Sequence, residues 1–178
     1  MTIKTVVKMG TEKLSQPSLP VESFATAELY SLIHDMHDTM NDKKGVGIAA
    51  PQIGCYKRVI LFGFEHNERY PQEKSVPLTV LINPTIEFLS DEMVDGWEGC
   101  LSVPGLRGLV PRYNHIRYTG FDAEGNPLSR IAKGFHARVV QHELDHINGI
   151  LFPQRIKDFT CFGFEEVLWE KIFPPTAS

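Results

Sequence analysis

The chain has 178 residues, a net charge of −4, and 42% hydrophobic against 22% charged residues. Those proportions suit a globular protein with a real core, and the negative balance argues against broad electrostatic capture of nucleic acid or acidic membrane. No apolar run is long enough for a transmembrane helix, and three cysteines (Cys55, Cys100, Cys161) are too few, and odd in number, for a disulfide framework.

Met1 to Val7 is too short for a secretory apolar region and shows no Arg-rich presequence, so the expected address is the cytoplasm. Residues 25–40 place apolar side chains at 25, 29, 32, 33, 36 and 40, a helical stripe that 41–45 breaks. Residues 45–54 hold three glycines and a proline among small apolar residues, and read as a compact backbone-rich loop. The run 58–64 is a buried strand by composition, and 65–75 is a polar surface loop. Two strands are predicted at 78–83 and 86–89, split by Asn83-Pro84, and an irregular strand at 97–104. Residues 109–121 are extended, 122–126 turn, and 128–133 return as a hairpin strand. Residues 135–148 form a helix with Gly149 at its end. A short helix over 164–171 precedes a Pro-rich end. No repeat, linker or nucleic-acid motif is present. The predicted class is α+β: antiparallel sheets packed around a central metal-binding HExxH helix, with an N-terminal helix and a short C-terminal helix. A single domain is expected over 1–178.

His142-Glu143-Leu144-Asp145-His146 gives that helix its chemical meaning. Residues four apart stand on one helical face, so His142 and His146 can meet one metal ion, with Glu143 placed to act on a water there. The alternative is a chance match on an ordinary amphipathic helix. A catalytic site needs a third ligand and an open position. A third histidine six residues on is excluded, because that position is Phe152. Glu165 or Glu166 on a later helix could serve, but they sit among charged residues, as on a solvated face. Cys100 in Glu98-Gly99-Cys100-Leu101-Ser102 is the better candidate, although a lone cysteine is more often a small buried hydrophobe. His34 and His37 could bind metal weakly, but a solvated helix face accounts for them better. Gly45 to Ala50 fits a dinucleotide fingerprint in spacing, yet a helix and a polar turn precede it and Pro51 leaves no room for the helix it needs.

Gly45 to Gly54, Glu98 to Ser102 and Gln141 to His146 together resemble the three signature motifs of peptide deformylases, in that family's order and at similar separations. The resemblance covers essentially the whole chain. It implies a bacterial enzyme that removes the formyl group from N-formylmethionyl nascent peptides and releases formate. Implied metal ligands are Cys100, His142 and His146. In the implied reaction, hydroxide on the metal attacks the formyl carbon and Glu143 serves as general base, then acid. The Gln52 amide and the Leu101 N–H stabilise the oxyanion. Val46, Gly47 and Gly99 would pair with an extended substrate, and Val46, Leu101, Val139 and the flank of His142 would wall an apolar methionine pocket.

One divalent ion is implied, Fe²⁺ natively, with Zn²⁺, Ni²⁺ or Co²⁺ able to substitute. Glu98 reads as structural, with Arg112 or Arg107 as its partner; either arginine could equally pair with Asp145. Asp145 itself reads as a group supporting a ligand histidine or as a solvated helix residue. Two features depart from the familiar bacterial pattern. Residues 65–77 look inserted, and the tail after 162 is short and carries Glu165, Glu166 and Glu170. A transient ribosome association stays open, but not through a basic C-terminal helix. Two rival readings are a zinc endopeptidase and a structural metal domain.

Overall fold

The computed structural model describes residues 2–67, 70 and 72–173. Among them the chain forms α1 (Ala27–Asp42), β1 (Gly47–Ala49), β2 (Val59–Phe64), β3 (Val76–Phe88), β4 (Met93–Cys100), β5 (Val103–Tyr113), β6 (His115–Phe121), β7 (Pro127–Lys133), α2 (Gly134–Ile147), β8 (Phe162–Phe164) and α3 (Glu165–Ile172). Two antiparallel sheets result, one ordered β1-β2-β3-β6-β7 and the other β4-β5-β8. Among the described residues no helix is long and apolar enough to cross a membrane.

The alternation of β2 explains the layering. Val59 and Leu61 join Leu29, Met36 and Met40 of α1 in one apolar cluster. Ile60 and Phe62 point the other way, into a cluster with Tyr118 and with Ala137 and Val140 of α2. Side chains two apart share a face, so a strand covered by helices on both sides has no polar positions to spare. The smaller sheet has its own core, where Val103 and Val110 pack on Leu151, Phe152 and Ile156. Thr26 starts α1 by accepting the Leu29 N–H on its hydroxyl. The helix α2 stops at Asn148, and Gly149 follows at φ 77° with its Cα pressed on the Ser15–Gln16 backbone, where a Cβ would come within 2.7 Å of a main-chain carbon. Only glycine meets both demands.

The sequence expectations need four corrections. The metal-binding element is not the HExxH helix alone: among the described residues the ligating cluster is Cys100, His142 and His146, with the sulfur at the end of β4 and Glu143 outside the donor set. Residues 78–83 and 86–89 form one strand, β3, whose register shifts between Ile82 and Thr85. Asn83 absorbs the irregularity at φ 50°, and Pro84, which has no N–H to donate, sits in it. The stretch 97–104 is a strand end, a turn and a strand start, since Cys100 pairs across with Val103. The stretch 109–121 is split at Asn114, where the chain leaves the small sheet as β5 and enters the large one as β6. The N-terminal helix, the 128–133 hairpin strand and the short last helix stand within a few residues of expectation. The Pro-rich end, 174–178, lies outside the described residues.

Candidate metal centre

Cys100, His142 and His146 bring one donor atom each to a common point, all within 4.8 Å of one another. The two histidines come from successive turns of α2, and the sulfur comes from the last residue of β4. Cys100 Sγ lies 3.2 Å from His146 Nε2. Ser102 N–H and Gln52 Nε2 also point at the sulfur, at 3.3 and 3.5 Å. Burial alone would raise the Cys100 thiol, but the two imidazoles outweigh it and bring the group down to about 5, which favours the thiolate.

His142 is oriented from behind. Its Nδ1 stands 2.8 Å from Glu98 Oε2. Burial works against the Glu98 charge, yet the Arg112 guanidinium holds this carboxyl well below the usual range. An ionised carboxylate can only accept, so Nδ1 donates and Nε2 is the nitrogen turned to the cluster. Burial disfavours a charged His142, but hydrogen bonding to Cys100 and Glu98 overcomes this and raises its pKa well above the ordinary value. Thiolate and carboxylate thus create a place for positive charge. A soft thiolate with two imidazole nitrogens is a donor set for a divalent transition metal, and three ligands leave room for a fourth. The residues fit such an ion.

Behind the cluster lies a buried ionic network. Arg112 takes both oxygens of Glu98 at 2.9 Å and reaches Asp145 Oδ2 at 2.5 Å. Arg155 grips the same Asp145 at 2.6 and 3.1 Å. Arg138 adds a 2.8 Å bond to Glu98. Arg112 is therefore the partner that sequence leaves open between two arginines, and Asp145 is buried on two arginines, with no hydrogen bond to a ligand histidine among the described residues. Arg107 turns instead to Glu165 at 3.0 Å and to the Tyr70 hydroxyl at 3.0 Å. That contact takes Glu165 out of the metal cluster. Arg138 and Arg155 escaped the sequence reading. Arg138 had a signal, since it stands four residues before His142 on the same helical face.

The front of the cluster is less satisfied. Glu143 is 4% exposed, and its Oε2 has no hydrogen-bond partner among the described residues; His146 Nδ1 shares that condition. Burial pushes the Glu143 carboxyl up to about 7 against the pull of the two imidazoles. Gly47 lies directly over it, and a Cβ there would fall 2.3 Å from Glu143 Oε1. Gln52 accepts the Ala49 N–H on Oε1 at 2.8 Å, which leaves Nε2 to face Cys100 and Ser102 Oγ. The same amide pins the loop and presents a donor.

A cavity opens at this front. Val46, Gly47, Gly99, Leu101 and Val139 line it together with Gln52, Cys100, His142 and Glu143. Trp97, Phe135, Arg138 and Tyr70 extend its wall. The 65–77 segment is thus more than surface, since it contributes Tyr70. Phe152 packs below His142 with ring centroids 6.3 Å apart. His34 and His37 lie on α1 beside Asp38 and Asn41, outside the metal cluster.

The Polypeptide deformylase family model matches residues 3–161. The chain is 59% identical over 170 residues to peptide deformylase 2 of Ralstonia nicotianae, covering 96% of each chain. It is 58% identical to peptide deformylase 1 of Bordetella pertussis, covering 97% of this chain and 98% of the relative. Among solved structures, a Met-Ala-Ser-bound class I type b peptide deformylase from Acinetobacter baumannii superposes with a TM-score of 0.84 at 42% identity, over 87% of this chain and 99% of that one.

Proposed function

We propose, from the premise that this chain belongs to the peptide deformylase family, that Glu143, Gln52 and the Leu101 N–H carry its chemistry at the Cys100–His142–His146 centre. The protein is a metal-dependent hydrolase of the formyl amide of N-formylmethionyl peptides. The observation that most supports these roles is Glu143, a buried carboxylate with a free oxygen at the mouth of a three-donor metal cluster.

A divalent cation there supplies Lewis acidity for the formyl carbonyl and makes a neighbouring water more acidic. Glu143 takes the proton of the attacking water and returns it to the departing amine, so the formyl C–N bond gives way to formate and a free N-terminus. The Gln52 amide and the Leu101 N–H receive the negative charge that builds on the formyl oxygen, each worth about 3 kcal/mol in sites of this kind. Because its Oε1 is already tied to Ala49, the Gln52 amide meets that charge without reorganising. The strand β1 is the outermost of the large sheet. Its free side at Gly47, with Val46 just ahead of the strand, suits an extended peptide, with Gly99 across the cavity. Val46, Leu101 and Val139 provide apolar wall for methionine.

Residues 1–178 act in this proposal as one catalytic unit, since both sheets and α2 contribute to the centre. Fe²⁺ is taken as the native ion. Any ribosome contact is transient and independent of α3 charge, because α3 carries Glu165, Glu166 and Glu170 against Lys171; Lys171→Glu should leave co-sedimentation with ribosomes unchanged. Anaerobic assay of formyl-Met-Ala-Ser, with metal analysis of the same sample, tests the core reading. Formate release in proportion to bound metal is expected. Cleavage of unformylated peptides without formate release would replace this reading with an endopeptidase, and equal activity of aerobic and anaerobic ferrous preparations would count against iron.

A further inference from the structure

We propose that Arg138 is a specificity-determining residue, its guanidinium forming a polar wall of the methionine pocket and giving an N–H to the substrate thioether. The proposal rests on the deformylase reading above. A buried arginine is unexpected in the wall of a pocket for an apolar side chain. Arg138 is 8% exposed and lines the same cavity as Val46, Val139 and His142. Its position is built. Nη1 donates to Glu98 Oε1 at 2.8 Å, to Val110 O at 2.7 Å and to Gly96 O at 3.3 Å, and Nη2 donates to Val94 O at 2.6 Å. The backbone makes room for the group. A Cβ at Gly96 would fall 2.6 Å from Arg138 Cζ, so only a glycine lets the strand lie against the guanidinium plane.

The donor count points to a ligand. A guanidinium has five N–H groups. Among the described residues no acceptor engages Nε, and Nη2 spends one of its two hydrogens on Val94. The charge itself is answered by Glu98, so what remains for the cavity is directional donor capacity rather than net attraction for an anion. A methionine sulfur is a weak acceptor with a polarisable surface, and a methylene in its place is neither. A purely apolar pocket should accept norleucine at least as well as methionine, because norleucine is the more hydrophobic of the two. A wall that offers unspent N–H groups reverses that order, since it must leave them unpaired against a methylene.

The test compares kcat/KM for formyl-Met-Ala-Ser and formyl-norleucyl-Ala-Ser within each preparation, so that any inactive or metal-free fraction cancels. The wild-type protein should favour methionine by roughly threefold or more, given the modest worth of a weak acceptor. Arg138→Leu should bring the two substrates to parity or favour norleucine, and Arg138→Lys should fall between. An unchanged ratio in Arg138→Leu overturns the proposal. Should that variant fail to fold, the wild-type ratio decides alone, and parity or a norleucine preference overturns it. Absence of formate from both substrates in metal-loaded wild-type protein would instead sink the deformylase reading, so the two failures are distinguishable.

Discussion

The two sides of α2 treat charge in opposite ways. On the back, Glu98, Asp145 and three arginines satisfy one another so fully that every carboxylate oxygen has a guanidinium or imidazole within 3.1 Å. On the front, one turn away, Glu143 Oε2 and His146 Nδ1 are buried with no partner among the described residues. Buried polar groups are expensive to leave unmatched. The satisfied side fixes where His142 points, and the unsatisfied side leaves a Glu143 oxygen open toward the centre, while His146 turns Nε2 to the sulfur and Nδ1 away from it.

Breaking the front should cost turnover and leave the fold. Glu143→Gln should lower kcat about 10³- to 10⁴-fold, with metal content and thermal midpoint unchanged; a normal rate in a metal-loaded sample would remove Glu143 from proton transfer. Breaking the back should cost the fold. Arg112→Leu leaves Glu98 without its bidentate partner and takes one of two arginines from Asp145. A loss of about 3–5 kcal/mol is expected by urea denaturation, and wild-type stability would show that the network is ornamental. Gln52→Leu belongs to both sides. It should reduce kcat about 10²-fold and also loosen the 49–52 turn, visible as faster amide exchange at Ala49. The mildest change is Arg155→Ala. That side chain is 45% exposed and Asp145 keeps Arg112, so a loss of no more than about 1 kcal/mol is expected.

The same contrast explains what could be read in the sequence. His142 and His146 were legible because helical spacing alone puts them on one face. The apolar run of β2 and the turn after β6 were legible for similarly local reasons. The partner of Glu98 is not, because Arg107 and Arg112 lie on opposite faces of one strand and only the pairing of Glu98 with Gly108 shows which face meets the carboxylate. Asn83-Pro84 looks like a strand break, and only its pairing with β6 shows the strand continuing through a bulge. The end of β4 carries no strong turn signal at Leu101-Ser102, so the sequence offers the Cys100 sulfur but not the reversal that aims it. Arg138 is not legible, because arginine on a helix reads as surface and its burial depends on a glycine forty-two residues earlier.

The crossing of the chain at Asn114 has a consequence for recombining this protein with its relatives. The sulfur lies before that point and both imidazoles after it, so a chimaera joined there draws the centre from two parents. The seam would run through the contact between Arg112 and Asp145, which must then match across lineages. A transplanted helix alone would carry nitrogen ligands into a new host and leave their thiolate behind.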